Sequence, residues 1–71
     1  MPKSKPPMKE ADLHALHGLS VEEAQRRVEA HGMIFRILYV DDTALAHTAD
    51  LRQDRVNVEV RAGKIEMADI G

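Results

Sequence analysis

The segment RVNVEVR, residues 55–61, decides the fold of this chain. Valine stands at every second position, and the residues between the valines are charged or polar. Successive side chains of a β-strand point to opposite faces of the sheet, so this alternation predicts a half-buried strand with one valine face and one polar face. Because the valines face the core, Arg55 and Asn57 must face the other way.

A second strand and a long connection precede this segment. The run MIFRILYV, residues 33–40, is short and rich in β-branched and aromatic residues, which predicts a largely buried strand. Thirteen residues follow, Asp41 to Gln53, without a glycine or proline. Loops of this length are usually functional or disordered, and if the two strands are parallel the loop must also return along the sheet. We therefore expect a crossing loop with a function.

The clearest helix signal is SVEEAQRRVEAHG, residues 20–32. Ser20 is expected to cap the first amides, and Glu23, three residues on, to return a bond to the cap backbone. Gly32 supplies the left-handed residue that ends a helix. One face carries the small apolar stripe that would cover a sheet, formed by Val21, Ala24 and Val28.

The remaining segments complete a small α+β domain. ADLHALHG, residues 11–18, predicts about one helical turn, RAGK a turn, and IEMADI, residues 65–70, a last strand. The expected fold is one α-helix packed on a small mixed β-sheet, with a long exposed loop between the first two, parallel, strands. Residues 1–10 hold three prolines and three lysines, so we expect a disordered basic tail there and a single domain over residues 11–71.

Composition excludes several classes of protein. The 71 residues contain no cysteine, so neither a disulfide framework nor a cysteine zinc site is available. Residues 11–71 carry a net charge of −4 with one Tyr and one Phe, which argues against a nucleic-acid partner. No apolar run reaches the ~18 residues of a membrane span, so no membrane partner is expected. Without a signal sequence the chain is expected in the cytoplasm, or secreted or periplasmic if a leader has been removed.

Catalytic and metal chemistry have little support. His14 and His17 lie on one helical face, but two histidines without a third ligand are most often surface residues. Asp41 and Asp42 fit a turn better than a carboxylate site. The serines lie in the tail and at the helix cap, so no nucleophile and base can be paired. We therefore expect no enzyme, no metal and no cofactor.

The chain resembles the potato type I serine-protease inhibitors, which include the barley chymotrypsin inhibitors and the leech eglins. The resemblance runs from about Leu13 to Gly71 through four segments in the same order: LHGLSVEEAQ, FRILYV, DRVNVEV and IEMADIG. Its most specific pieces are GLSVEEA and RQDRVNVEV. Asn57 stands where plant members commonly carry a second arginine, which looks more like the bacterial peptidase inhibitors related to this family.

The resemblance implies an inhibitor whose exposed loop enters a protease cleft as a substrate would. It places the reactive loop at Thr48, Ala49, Asp50, Leu51 and Arg52. Ala49 would be the reactive residue and the Ala49–Asp50 bond the scissile bond, with Arg55 and Asn57 supporting the loop from the sheet. A small residue at Ala49 suits a subtilisin-like or elastase-like protease as partner.

An arginine fork at Arg55 could bind loop carbonyls or the carboxylate of Asp50; the alternative is a solvated strand residue. If Arg55 supports the loop from the polar face, we expect its contacts to be solvent-exposed, so that removing Arg55 leaves the melting temperature nearly unchanged.

A second function stays open because the segment DDTALAH, residues 41–47, is longer than the family usually has. The alternative is a non-inhibitory protein–protein interaction module on the same scaffold, which uses the altered loop or an open sheet edge. The expected assembly is a monomer or a weak homodimer.

Overall fold

A computed structural model describes residues 6–45 and 48–71. Its elements, in chain order, are α1 (Glu10–His14), α2 (Val21–Ala30), β1 (Ile34–Val40), β2 (Thr43–Ala44), β3 (Arg55–Arg61) and β4 (Lys64–Ile70). The four strands form one mixed sheet in the order β2-β1-β3-β4. The main helix, α2, packs on this sheet, which confirms the predicted small α+β fold.

The sheet is built around the parallel pair β1 and β3. Phe35 lies opposite Val56 and Ile37 opposite Val58, while β4 pairs antiparallel with the other edge of β3. The chain must therefore return along the sheet between β1 and β3. Since β4 runs the opposite way, its C-terminal end meets the N-terminal ends of β1 and β3.

The connection between β1 and β3 differs from the uninterrupted loop that we expected. Asp41 adopts a positive φ of 55°, the chain turns back, and β2 pairs antiparallel with the end of β1, with Ala44 opposite Tyr39. The Asp41 carboxylate accepts a hydrogen bond of 2.9 Å from the Ala62 N–H, so it ties this turn to the β3–β4 turn. Residues 41–44 are thus part of a hairpin, and the irregular segment begins at residue 45.

The core lies between the helices and one face of the sheet. The alternation in β3 is confirmed, because its valines are buried and Asn57 and Glu59 are only partly so. The buried apolar residues are Met8, Leu13, Leu16, Ala24, Val28, Met33, Val56, Val58, Val60 and Ile65. Burying a side chain of this kind completely contributes about 1.5–3 kcal/mol, so a few such residues carry much of the stability of a chain this small.

Helix α2 has the predicted ends. The Ser20 hydroxyl oxygen accepts a bond of 3.2 Å from the Glu23 N–H, and Gly32 adopts a φ of 71° after the last turn. The Glu23 carboxylate is bound to Arg26 at 3.3 Å and to Arg27 at 3.5 Å, rather than to the cap backbone. The first half of the predicted capping box is therefore present. The Glu23 side chain instead forms ion pairs on the surface of the helix.

The domain begins earlier than the sequence indicated. Met8 is buried in the core and its N–H contacts the Met33 sulfur at 3.3 Å, while α1 begins at Glu10. The predicted tail boundary at residue 10 is therefore wrong for residues 6–10, and residues 1–5 lie outside the described residues. A single methionine among prolines and lysines has no periodic signal, although its flexible side chain fills irregular space in a core well.

Candidate functional site

Two arginines and one asparagine lie together at one end of the sheet, where β1 and β3 begin. Arg36 in β1 lies directly opposite Asn57 in β3, and Ile34 lies opposite Arg55. Gly71 follows β4 at the same end, where its N–H donates to the Arg55 carbonyl at 3.0 Å. The segment from Thr48 to Asp54 lies over these residues, so main chain and arginine side chains meet at a single place.

Arg55 joins the loop to the end of β4. Its Nη2 donates to the main-chain oxygen of Asp50 at 2.6 Å and to that of Gly71 at 2.7 Å, and its Nε donates to the Gly71 oxygen at 3.1 Å. Nη1 lies 3.5 Å from the Asp50 carboxylate. Arg55 is only 6% exposed, so our expectation that its contacts are open to solvent is wrong. The loop and the chain beyond β4 cover it.

Arg36 is a second support, which the sequence analysis missed. Its Nη1 donates to the main-chain oxygen of Thr48 at 3.3 Å and contacts the Thr48 hydroxyl at 3.4 Å. Its Nε donates to Asn57 Oδ1 at 2.8 Å. The signal was present, because Arg36 is the one charged residue in MIFRILYV. Asn57 binds Arg36, and Arg36 binds the loop. Asn57 therefore acts on the loop indirectly, by positioning the Arg36 guanidinium.

Thr48 and Asp50 are also bound to each other. The Thr48 hydroxyl donates to the Asp50 carboxylate in a short hydrogen bond. That bond is the main reason why the pKa of Asp50 lies below its ordinary value of 3.8. Burial opposes it as the next largest effect, and the positive charges of Arg55 and Arg36 lower the pKa further by smaller amounts. The carboxylate therefore stays ionised near neutral pH and attracts both arginines that support the loop.

The C-terminal part of the loop is held by a separate pair. Arg52 binds Asp54 through two parallel bonds of 2.8 Å, and its N–H donates to the Gly71 oxygen at 3.3 Å. The mutual hydrogen bond raises the pKa of Arg52 and lowers that of Asp54. The resemblance assigns Arg52 to the reactive loop. Its side chain pairs with Asp54, two residues further along the same segment.

The residues between these anchors are open to solvent. Ala49 is exposed between Thr48 and Asp50, and Leu51 is 90% exposed between Asp50 and Arg52. The five residues of the predicted reactive loop therefore form one exposed segment. Ala46 and His47, which belong to the longer connection that we predicted, lie outside the described residues.

The described residues contain no arrangement that would hold a metal ion, since residues 6–45 and 48–71 include no suitable group of three or more histidine or acidic side chains. His14 and His17 are exposed, and the nearest acidic partner of His14 is Glu10 at 4.0 Å. No helix in this part of the chain is long and apolar enough to cross a bilayer.

Fold and site together define a small α+β protein in which two arginines of the sheet hold an exposed segment around Thr48 and Asp50. Comparisons with protein-family models, with curated proteins and with solved structures found no significant match. The geometry of the loop and the sequence segments that resemble the potato type I inhibitors are the two features that point to a function.

Proposed function

We propose that this protein inhibits a serine protease by presenting Thr48, Ala49, Asp50, Leu51 and Arg52 to the cleft as a substrate would. One observation carries the proposal. The main-chain oxygens of Thr48 and Asp50, one on each side of the exposed Ala49–Asp50 bond, are each held by a guanidinium from the sheet.

Such support lowers the cost of binding. A free peptide loses conformational entropy when a protease orders it, whereas a segment already bound to Arg36 and Arg55 loses much less. Charge-assisted bonds of this kind are about twice as strong as neutral ones, so they hold the segment more firmly than main-chain contacts alone.

The same support favours resealing of a cut bond. When the protease serine attacks the Ala49 carbonyl carbon, an acyl-enzyme forms and the amine of Asp50 is released. Arg36 still holds the Thr48 side and Arg55 still holds the Asp50 side, so the amine stays close to the acyl carbon. An amine held in place reacts far faster than a free one, and religation then competes with attack by water.

The first residues of DDTALAH support the proposal. These residues form the β1–β2 turn and the two residues of β2, and Asp41 binds this turn to the neighbouring β3–β4 turn. Part of the extra length is therefore taken up before the reactive segment begins. The small side chain of Ala49 fits a shallow primary pocket, which favours an elastase-like or subtilisin-like partner.

The test is incubation with subtilisin, pancreatic elastase, chymotrypsin and trypsin, with residual protease activity and the mass of every fragment measured. We expect loss of subtilisin or elastase activity and one slow cut, between Ala49 and Asp50. Rapid cutting at several loop bonds with full protease activity would overturn the proposal.

A second candidate is an interaction module that pairs through its sheet edge. It is favoured by the exposed apolar side chains of Tyr39, Val40 and Leu45 beside β2, which covers only the end of β1. Edge strands pair readily with another chain. Sedimentation of the wild type and of Val40→Lys tests it: association of the wild type alone supports the module, and two monomers contradict pairing with a second copy.

A further inference from the structure

Leu51 differs from the other exposed apolar residues of the chain. It is 90% exposed, whereas Met67, the next most exposed large apolar residue among those described, is 56% exposed. Single apolar residues on a surface are common and need no special explanation. The surroundings of Leu51 are what make it unusual.

The main chain is held on both sides of Leu51. Before it, the Asp50 carbonyl accepts the 2.6 Å bond from Arg55, and after it the Arg52 N–H donates to Gly71 at 3.3 Å. The Arg52 side chain is fixed in turn by its two bonds to Asp54. An isobutyl group is thus projected into water from a backbone whose position is already set.

Ala49 offers a binding partner much less apolar surface than Leu51 does. Its side chain is a single methyl group, and the free energy gained when an apolar group leaves water is roughly proportional to the area buried. Because the backbone at Leu51 is already ordered, burying its side chain also requires little further loss of chain entropy.

We infer that Leu51 is the main apolar anchor of the complex with the protease, an inference that rests on the proposed function. The partner is a serine protease with an apolar pocket for the second residue after the scissile bond. The primary pocket, filled only by the Ala49 methyl, contributes less to affinity. Proteases with a polar or closed surface at that second position are expected to bind poorly even when their primary pocket accepts alanine.

The experiment measures inhibition constants against subtilisin and pancreatic elastase for the wild type, Leu51→Ala, Leu51→Met and Met67→Ala. Met67 is exposed in β4 and serves as the matched control for loss of an apolar side chain away from the loop. We expect Leu51→Ala to raise the inhibition constant about 10- to 100-fold, from the apolar area lost. Leu51→Met, which conserves volume, should stay within about fivefold of the wild type, and Met67→Ala should match the wild type.

Thermal unfolding and fragment masses complete the test. Because Leu51 is exposed, its variants should melt with the wild type, so a weaker complex reports contact with the protease. Equal inhibition by Leu51→Ala and Met67→Ala overturns the anchor role alone. A cut after Leu51 also overturns it, because Leu51 would then fill the primary pocket. A wild type that inhibits no protease of the pair, with full cleavage, overturns the proposed function and the anchor role with it.

Discussion

The guanidinium of Arg55 lies 2.6 Å from the main-chain oxygen of Asp50, and this contact joins an exposed loop to the buried part of the sheet. The arginine is almost fully covered, and no buried side-chain nitrogen or oxygen among the described residues lacks a hydrogen-bond partner. Arg55 therefore belongs to both the loop and the fold.

Arg55→Ala is expected to lower the free energy of unfolding by about 1–3 kcal/mol, because buried bonds to Asp50 and Gly71 are lost and their oxygens are left without this donor. In a domain of this size each kcal/mol corresponds to a fall of about 4–8 °C in Tm. This replaces the nearly unchanged melting temperature that the sequence suggested. Thermal unfolding measures it, and Arg55→Lys should be intermediate, since an ammonium keeps the charge but loses the planar fork. A Tm equal to that of the wild type would contradict the structural role.

Arg36→Ala is expected to affect the loop more than the fold. Arg36 is half-buried and its bonds go to Thr48 and Asn57, so cleavage at the Ala49–Asp50 bond should quicken about 10- to 100-fold, as expected for losing a bond to a charged group. Fragment masses over time measure the rate. Arg61→Ala is the matched control, because Arg61 pairs with Glu66 and Asp42 at the other end of the sheet. If both variants are cleaved alike, Arg36 does not support the loop.

Ala49→Leu tests the register of the loop. One added methylene in a deep apolar pocket contributes about 1–3 kcal/mol to the free energy of binding. The variant should therefore inhibit subtilisin-like enzymes more strongly and enzymes with shallow pockets less. Inhibition constants measure both effects, with Leu45→Ala as a change outside the predicted reactive residues. A response to Leu45→Ala and none to Ala49→Leu would mean that the reactive bond lies elsewhere.

The Asp50 carboxylate should make the order of the loop depend on pH. Its pKa is lowered in the folded protein, so the stabilisation is fully present above the ordinary value of 3.8 and is lost as the pH falls through the folded pKa. Thr48→Val removes the hydrogen bond that is the main cause, and the pKa of Asp50 should rise toward 3.8. Carbon-13 NMR of the carboxyl groups measures it. The lowered pKa of Asp54, which Arg52 causes, should stay the same in this variant.

Ala62→Asn is expected to stabilise the fold without touching the loop. Ala62 and Gly63 form the β3–β4 turn with φ values of 52° and 77°, and Asn-Gly suits such a turn better than Ala-Gly. The gain should be of the order of 0.5–1 kcal/mol, since alanine pays a steric cost at positive φ. Denaturant unfolding measures it, and protease inhibition should be unchanged. A less stable variant would show that the Ala62 methyl makes contacts of its own.

Local patterns were enough to predict the helix, the two central strands and the direction of the polar face. The prediction that residues 33–40 form a largely buried strand is wrong in its burial, because both ends of β1 are exposed at Ile34, Tyr39 and Val40. Valine alternation, a serine cap and a glycine stop depend on local backbone geometry and on residues near one another in the chain, so they can be identified one segment at a time. The position of Arg55 and Asn57 away from the core followed from the same alternation. The assignment of Thr48 to Arg52 as a reactive loop came from the resemblance and stays a prediction.

Long-range packing decided the rest. Arg36 enters the site because the parallel register sets β1 against β3 so that it lies opposite Asn57, and no local pattern specifies that register. Arg55 is buried because Gly71, sixteen residues away, returns along β4 to cover it. Met8 joins the core through a contact with Met33, and the Asp41 turn is bound to Ala62, twenty-one residues away. Each of these depends on groups distant in sequence, whose proximity exists only once the sheet has formed.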